Sequence, residues 1–271
     1  MQYTLTRRKA LALIGAVAPV SLLGADSQFD LPVRTRIEIY KGSGEWRTAT
    51  SAEQYRTSRS AMLICDMWDQ HWCGGATKRV GEMTQRMAAV LAVGRAKGMQ
   101  IIHAPSDVMD FYEQYPQRQF MKQFAGTKVE PGLSLVDPPL PIDDKAGGCD
   151  TGEPFYKAWK RQHAEIPVAA NDVISDKGNE IFGLLKLRGI DTLFVMGVHT
   201  NMCILNRTFA IKQMTKWGIR CVLLRDLTDA MYDPKQRPFV THDEGTALVI
   251  EHIEKYWCPS ALSGDLVKAL V

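Results

Sequence analysis

The 271-residue sequence has little of several features that mark a special class of protein. It has six cysteines, too few for a small disulfide scaffold, and a formal net charge of +3, too small to indicate nucleic acid binding. It contains no internal repeat and no low-complexity tract. It also lacks a C-x-x-C pair, and this absence argues against a thiol redox enzyme. With 45% hydrophobic and 23% charged residues, the composition is that of a folded globular protein.

The first 25 residues are typical of an export signal. Arg7, Arg8 and Lys9 precede an apolar run over residues 10–25, and polar residues follow. That run has 16 residues, whereas a membrane-spanning helix needs about 20. The adjacent arginines resemble a twin-arginine signal, so we expect export to the periplasm and no stable membrane association after cleavage. An uncleaved N-terminal anchor is the alternative.

The charge excess lies entirely in this leader. Without residues 1–25 the chain keeps 30 basic and 30 acidic residues. A balanced charge favours a small-molecule substrate as the partner and argues against nucleic acid. The oligomeric state is left open, with a homo-oligomer as one alternative.

Short apolar runs alternate with helical patterns from residue 61 onward. The predicted strands are 61–65, 100–103, 192–196 and 220–224. The predicted helices are 80–97, 111–124, 178–188, 202–217 and 241–256. This alternation predicts an α/β fold whose mostly parallel central sheet is covered by helices on both faces. The predicted segments are an N-terminal arm (26–60), a domain (61–257) with an inserted loop or lid (125–170), and a C-terminal tail (258–271).

Polar side chains of catalytic type follow three predicted strands. Asp66 follows the first, His103 and Asp107 lie at the end of the second, and the Gly197–Cys203 turn follows a third. Ligands of parallel α/β sheets bind beyond these strand ends. Cys203 opens a predicted helix, whose dipole lowers a thiol pKa and favours the nucleophilic thiolate. A buried structural cysteine is the alternative.

Two motifs in this region resemble those of isochorismatase-like cysteine hydrolases, a family that includes nicotinamidases and N-carbamoyl amide hydrolases. Asp66-Met67-Trp68-Asp69 is similar to the D-M-x-x motif after the first strand, and Gly197–Cys203 to the G-V-x-T-x-x-C nucleophile turn. The resemblance covers about residues 61–257 and implies a three-layer Rossmann-like fold with an Asp-Lys-Cys triad.

The resemblance also implies roles for individual residues. Cys203 is the nucleophile and Asp66 the general base. The Val198–His199 peptide is cis, and the N–H groups of His199 and Cys203 form an oxyanion hole.

The family's lysine ends a D-V-V-x-x-K stretch. Asp172–Lys177 matches that stretch with Lys177 as the third triad member. Aligned from Phe182 instead, Asp176 takes the lysine's place, and the site would then lack the cation that stabilises the Asp–thiolate pair.

Further residues near the strand ends are expected to line a substrate pocket. They are Trp68, His71, His103, Asp107, Tyr112 and Thr200. His71, Cys73, His103 and Asp107 can all bind metal, but their spacing differs from that of the nicotinamidase site, so we expect no metal and no cofactor. The loop aromatics Phe155, Tyr156 and Trp159 favour a lid that closes over a small, partly apolar substrate.

Other side chains have two interpretations each. Arg207 and Arg225 could hold a substrate carboxylate or form surface ion pairs. Cys73, Cys149 and Cys258 are loop candidates for one disulfide whose pairing the sequence does not determine.

Together these observations predict an exported cysteine hydrolase. It would cleave a small amide-type (C–N) or related substrate through a covalent intermediate on Cys203. The alternative is a catalytically inactive small-ligand-binding protein on the same fold.

Overall fold

The computed structural model describes residues 26–271, so the predicted export signal lies outside the described part. One eight-stranded sheet runs through it, in the order β2-β1-β8-β7-β6-β3-β4-β5. The strands are β1 (Gln28–Glu38), β2 (Trp46–Arg56), β3 (Ser60–Cys65), β4 (Gln100–Ala104), β5 (Val173–Ile174), β6 (Thr192–Val198), β7 (Arg220–Asp229) and β8 (Ser260–Ala261). The helices are α1 (Gly74–Ala96), α2 (Pro116–Lys122), α3 (Gly178–Arg188), α4 (Cys203–Asn206), α5 (Ile211–Lys216), α6 (His242–Tyr256) and α7 (Ser263–Leu270).

The sheet is parallel from β8 to β5, and only β1 pairs antiparallel, with β2 and β8. Buried apolar side chains form two layers. Helices α3, α5 and α6 cover one face of the sheet, and α1 and α7 cover the other. The predicted fold class, a three-layer α/β fold with a mostly parallel sheet, is confirmed.

The predicted N-terminal arm is part of the sheet. Its residues form the β1–β2 hairpin, and Leu31 and Val33 are fully buried against the α1 face. The alternation of apolar and polar residues in β1 explains this placement, since one face of an edge hairpin is buried and the other is solvated. The predicted tail likewise contributes β8 and α7.

Two predicted helices are broken. The pattern over 111–124 forms a 3-10 turn (Met109–Tyr112) followed by α2. The pattern over 202–217 forms α4 and α5, separated where Arg207 adopts an extended conformation. Among the helices of residues 26–271, none is both long and apolar enough to cross a membrane.

Candidate active site

The strand register places two candidate catalytic residues side by side. Strands β3 and β6 are parallel neighbours in which Cys65 pairs with Gly197. Asp66 and the turn after Val198 therefore leave the sheet at the same edge. Gly197 has φ +114°, and a Cβ there would lie 2.0 Å from the Cys65 carbonyl oxygen. The close approach of the two strands thus depends on glycine at this position.

Replacing Gly197 with alanine is expected to disrupt the edge of the sheet at which β3 and β6 end. Both the positive φ and the overlap with Cys65 oppose a side chain, so we expect a loss of more than about 2 kcal/mol in the free energy of unfolding. Gly218 is a matched control, because it also has a positive φ, +81°, but a Cβ added there would meet no atom within 4 Å. Thermal denaturation should show a much smaller loss for Gly218→Ala, and equal losses would contradict this explanation.

Asp66 is fully buried and firmly held. Its Oδ1 accepts hydrogen bonds from the Ser106 backbone N–H and hydroxyl, both at 2.7 Å. Its backbone has φ +46°, a left-handed conformation that is strained for aspartate. Burial raises the pKa of the Asp66 carboxyl, while Arg207, Cys203 and Ser106 act in the opposite direction. A carboxyl with a raised pKa is suited to act as a general base near neutral pH.

Cys203 is the first residue of α4 and interacts with Asp66. Burial raises the pKa of its thiol well above the ordinary value, the Asp66 charge raises it further, and Arg207 opposes both effects. The expected lowering by the helix dipole is therefore wrong. The helix has only four residues, so its dipole is small, whereas burial beside a carboxylate strongly favours the neutral thiol.

The cation beside Asp66 and Cys203 is Arg207. Arg207 Nε is 3.4 Å from Asp66 Oδ2, and its Nη2 donates to Asp107 Oδ2 at 2.9 Å. Although burial acts to lower it, the pKa of Arg207 is raised by Cys203 and the two carboxylates, so the guanidinium stays charged. Within residues 26–271, Arg207 makes the ion pair with Asp66.

Lys177, the predicted third triad member, lies elsewhere. It precedes α3, its side chain is 58% exposed, and its Nζ is 3.3 Å from Asp176 Oδ1. In the described part of the chain, no hydrogen bond or ion pair joins Lys177 to Asp66 or Cys203. The structure thus brings Cys203 and Asp66 together with Arg207 and leaves Lys177 outside the group.

The nucleophile turn presents unpaired backbone donors. The Val198–His199 peptide is cis, as the resemblance implies. Thr200 N–H donates to Asp229, and the N–H groups of Met202 and Ile204 donate to His199. In residues 26–271 the N–H groups of His199 and Cys203 have no such backbone partner. Two donors beside the sulfur are available to a developing oxyanion.

Aromatic rings surround the turn. Trp68 stacks on Trp159 at 4.5 Å between ring centroids, and His71 stacks on both. His71 also meets the buried His199 edge-on, and burial lowers the pKa of His71 to about 4 and that of His199 to about 3. Both imidazoles are therefore neutral at neutral pH. Cys203 packs against a buried cluster formed by Trp68, Val108, Tyr112 and Ile174, so an apolar surface adjoins this residue.

Three predicted pocket residues have structural partners instead. His103 is buried between Gln162 and Asp172, at 3.1 and 2.9 Å. The Tyr112 hydroxyl accepts from the Gln162 N–H at 2.8 Å, and Thr200 Oγ1 lies 2.7 Å from Thr228 Oγ1. Asp107 pairs with Arg207 at the surface. Because His103 is turned toward Asp172, it does not form a metal site with His71.

An open cleft of about 420 Å³ lies over the sulfur. It is lined by Leu140, Asp144, Asn201, Met202, Cys203, Asn206 and Arg207. Leu140 and Asp144 belong to the segment 125–170, hereafter the lid, which contains no helix or strand. Asn201 Nδ2 donates to Asp144 Oδ2 at 2.8 Å, so the lid contacts the nucleophile turn.

The sequence analysis does not identify Ser106 or Asp144, and it does not place Arg207 beside Asp66 and Cys203. Arg207 lies four residues after Cys203, a spacing that places two side chains on one face of a helix. That spacing was a usable signal. No signal of this kind pointed to Asp144, which reaches the site from a loop.

One group of side chains in residues 26–271 has metal-binding geometry, and it lies outside this site. The donor atoms of Cys73, Cys149 and Glu153 all lie within 4.8 Å of one another. Cys73 belongs to a small buried apolar cluster against which Met202, the residue before Cys203, packs.

The fold is shared with a solved cysteine hydrolase. A cysteine hydrolase from Pseudomonas syringae pv. phaseolicola 1448A superposes with a TM-score of 0.51 at 17% identity, covering 79% of this chain and 93% of that one. An isochorismatase from Pseudomonas putida KT2440 gives 0.47 at 13% identity, covering 77% and 90%. No family model and no curated protein sequence matches the chain. The likeness to the first structure shows that this chain shares its fold.

Proposed function

We propose that this protein is an isochorismatase-like cysteine hydrolase that cleaves a small amide or related C–N substrate. The observation that carries the proposal is the pairing of the buried Asp66 with Cys203, held by Arg207 beneath an open cleft. A nucleophile, a base in contact with it and a group that orients the base are the elements that nucleophilic catalysis requires.

The charges of the group support a proton-transfer mechanism. The Asp66 charge disfavours ionisation of Cys203, whereas the Cys203 thiol favours the Asp66 carboxylate, so the pair carries one negative charge, and Arg207 balances it. As the sulfur attacks the substrate carbonyl carbon, the thiol proton passes to Asp66. The negative charge of the Asp66–Cys203 pair thereby moves to the carbonyl oxygen of the substrate. That oxygen can accept hydrogen bonds from the N–H groups of His199 and Cys203.

The second half of the reaction returns the proton. Asp66 protonates the leaving nitrogen as the C–N bond breaks, which leaves a thioester on Cys203 and a carboxylate at Asp66. The carboxylate then removes a proton from water, the water oxygen attacks the thioester, and the thiol is restored. No metal or cofactor enters these steps.

The lining of the cleft favours a small substrate with an apolar part. Leu140 and Met202 are the apolar side chains of its lining, and Asp144, Asn201 and Asn206 provide polar contacts. A volume of about 420 Å³ is at the small end of ligand pockets. A primary amide or N-carbamoyl compound with one small ring or chain fits this description.

Release of ammonia from a panel of such compounds tests the proposal. We expect turnover of at least one aromatic or aliphatic primary amide or N-carbamoyl amine, and no release from a blank without protein. The alternative is a ligand-binding protein without turnover, which the high thiol pKa and the exposed position of Lys177 favour. Saturable binding of a panel compound without ammonia release would support that alternative and overturn the hydrolase.

We also propose that residues 1–25 direct the protein to the periplasm, where it acts without stable membrane association. Arg7, Arg8 and the short apolar run support this proposal. Fractionation of cells that express the full chain tests it, and retention of the uncleaved chain in the membrane fraction would contradict it.

A further inference from the structure

Two thiols far apart in sequence meet beside the active site. Cys73 directly precedes α1, and Cys149 belongs to the lid. Their sulfur atoms lie within 4.8 Å of each other, and the Thr151 hydroxyl oxygen lies 3.4 Å from one and 3.6 Å from the other. Cys149 is partly exposed and Cys73 is buried. The other loop candidate, Cys258, is buried in the core near Cys221.

The neighbours of Cys149 fix it against Cys73. Gly148 has φ +69° and packs so closely on Met231 that a Cβ would lie 2.3 Å from its carbonyl oxygen. On the other side, Asp150 forms an ion pair with Arg79 at 2.7 Å. Contacts on both sides of Cys149 keep its thiol at a high effective concentration near Cys73, which favours reaction between the two.

Along the sequence, Cys149 lies between two segments of the lid that contact the active site. On one side of Cys149, Asp144 accepts the hydrogen bond from Asn201. On the other side, Phe155 packs edge-on against Trp72, and Trp159 stacks on Trp68. A covalent bond at Cys149 would therefore hold the middle of the lid over the nucleophile turn.

We propose that Cys73 and Cys149 form a disulfide that fastens the lid across the cleft. A low-molecular-weight disulfide is the oxidant. The Cys149 thiolate attacks one of its sulfur atoms and expels one thiolate, and Cys73 then attacks the mixed disulfide at Cys149 and expels the second. Two protein thiols are oxidised by two electrons in all, the oxidant is reduced to two thiols, and both protein protons are released to the expelled thiolates.

A bound metal ion is the competing use of the same thiols, with Glu153 as the third donor. The surroundings argue against it. Glu153 already accepts hydrogen bonds from the Thr151 hydroxyl and the Cys149 thiol, and it lies beside Gly74 at the start of α1. The positive end of that helix and the Arg79 guanidinium both disfavour a cation at this point.

Peptide mapping of the full chain tests the proposal. The protein is reduced, desalted, incubated with oxidised glutathione, alkylated and digested without reductant. We expect a Cys73–Cys149 linked peptide and a melting temperature about 5 °C or more above that of the reduced protein, since the bond closes a long loop. The shift should vanish in Cys149→Ser and persist in Cys203→Ser.

Three results would overturn the proposal. They are alkylation of both thiols after oxidation, a stable glutathione adduct at Cys149 that Cys73 does not resolve, and stoichiometric zinc that protects both thiols until it is chelated. None of these results depends on hydrolase activity, so this proposal and the proposed function fail separately.

Discussion

Replacing Cys203 with alanine will abolish turnover of every amide that the unmodified protein cleaves. In the proposed mechanism the Cys203 sulfur bonds to the substrate carbon, and removing a nucleophile typically lowers kcat by about 10⁴-fold or more. Because Cys203 begins the short helix α4 and lies in no strand of the sheet, the fold should survive. We expect a melting temperature within a few degrees of the starting protein, measured beside ammonia release.

Cys149→Ala, assayed in reducing buffer, is the matched control. It also removes a partly exposed thiol near the cleft, but one that the mechanism does not use. Its kcat should stay within about threefold of the starting value, a difference of less than about 0.7 kcal/mol. Appreciable turnover by folded Cys203→Ala would show that the nucleophile is a different group.

Replacing Arg207 with glutamine will lower kcat/KM at neutral pH by about 10²-fold and move the activity to higher pH. Burial raises the pKa of Asp66, and the Arg207 charge counteracts it. Without that charge the pKa of Asp66 rises further, so a larger fraction of Asp66 is protonated at pH 7 and cannot act as a base. We expect the midpoint of the acid limb of the kcat/KM profile to move to higher pH by about one pH unit or more.

Lys177→Gln is the control that separates the arginine from the lysine of the resembled family. Since Lys177 is exposed and pairs with Asp176, its removal should leave kcat/KM and the pH profile within about twofold of the starting values. Arg207→Lys should recover part of the loss, because it restores the charge but not the fork of donors that also binds Asp107. A loss in Lys177→Gln with a normal Arg207→Gln would place the cation at Lys177.

The central pair was accessible from sequence because it depends on a general rule of parallel sheets. Asp66 and the Gly197–Cys203 turn each follow an apolar run, and parallel strands deliver such residues to the same edge. No particular side-chain conformation is needed for that prediction. The register of β3 and β6 then places the two chain segments side by side, and Asp66 interacts with Cys203 there.

The sequence does not identify Arg207 as the cation beside Asp66, and the reason is local. Strand β5 has only two residues, so a shift of one position decides whether Asp176 or Lys177 faces the site, and the sequence allows both alignments. Arg207 reaches Asp66 because one turn of α4 follows Cys203 before the chain becomes extended. The predicted continuous helix had the same first turn, but the burial of Asp66, which makes a partner necessary, is visible only in three dimensions.

The misplaced pocket residues share a different cause. His103 and Tyr112 both bond to Gln162, which lies 50 or more residues away in the irregular lid. Periodicity gives no information about where such a loop packs. The antiparallel addition of β1 beside β8 is equally long-range, which is why the sequence predicts an N-terminal arm (26–60) but not its place in the sheet.

Trapping of the covalent intermediate tests the proposed mechanism most directly. The protein is mixed with a cleaved amide, quenched in acid within the first turnovers, and measured by intact mass spectrometry and peptide mapping. We predict a gain in mass equal to the acyl part of the substrate, located on Cys203 and absent from Cys203→Ala. Steady ammonia release with no adduct, or an adduct on another residue, would contradict the mechanism.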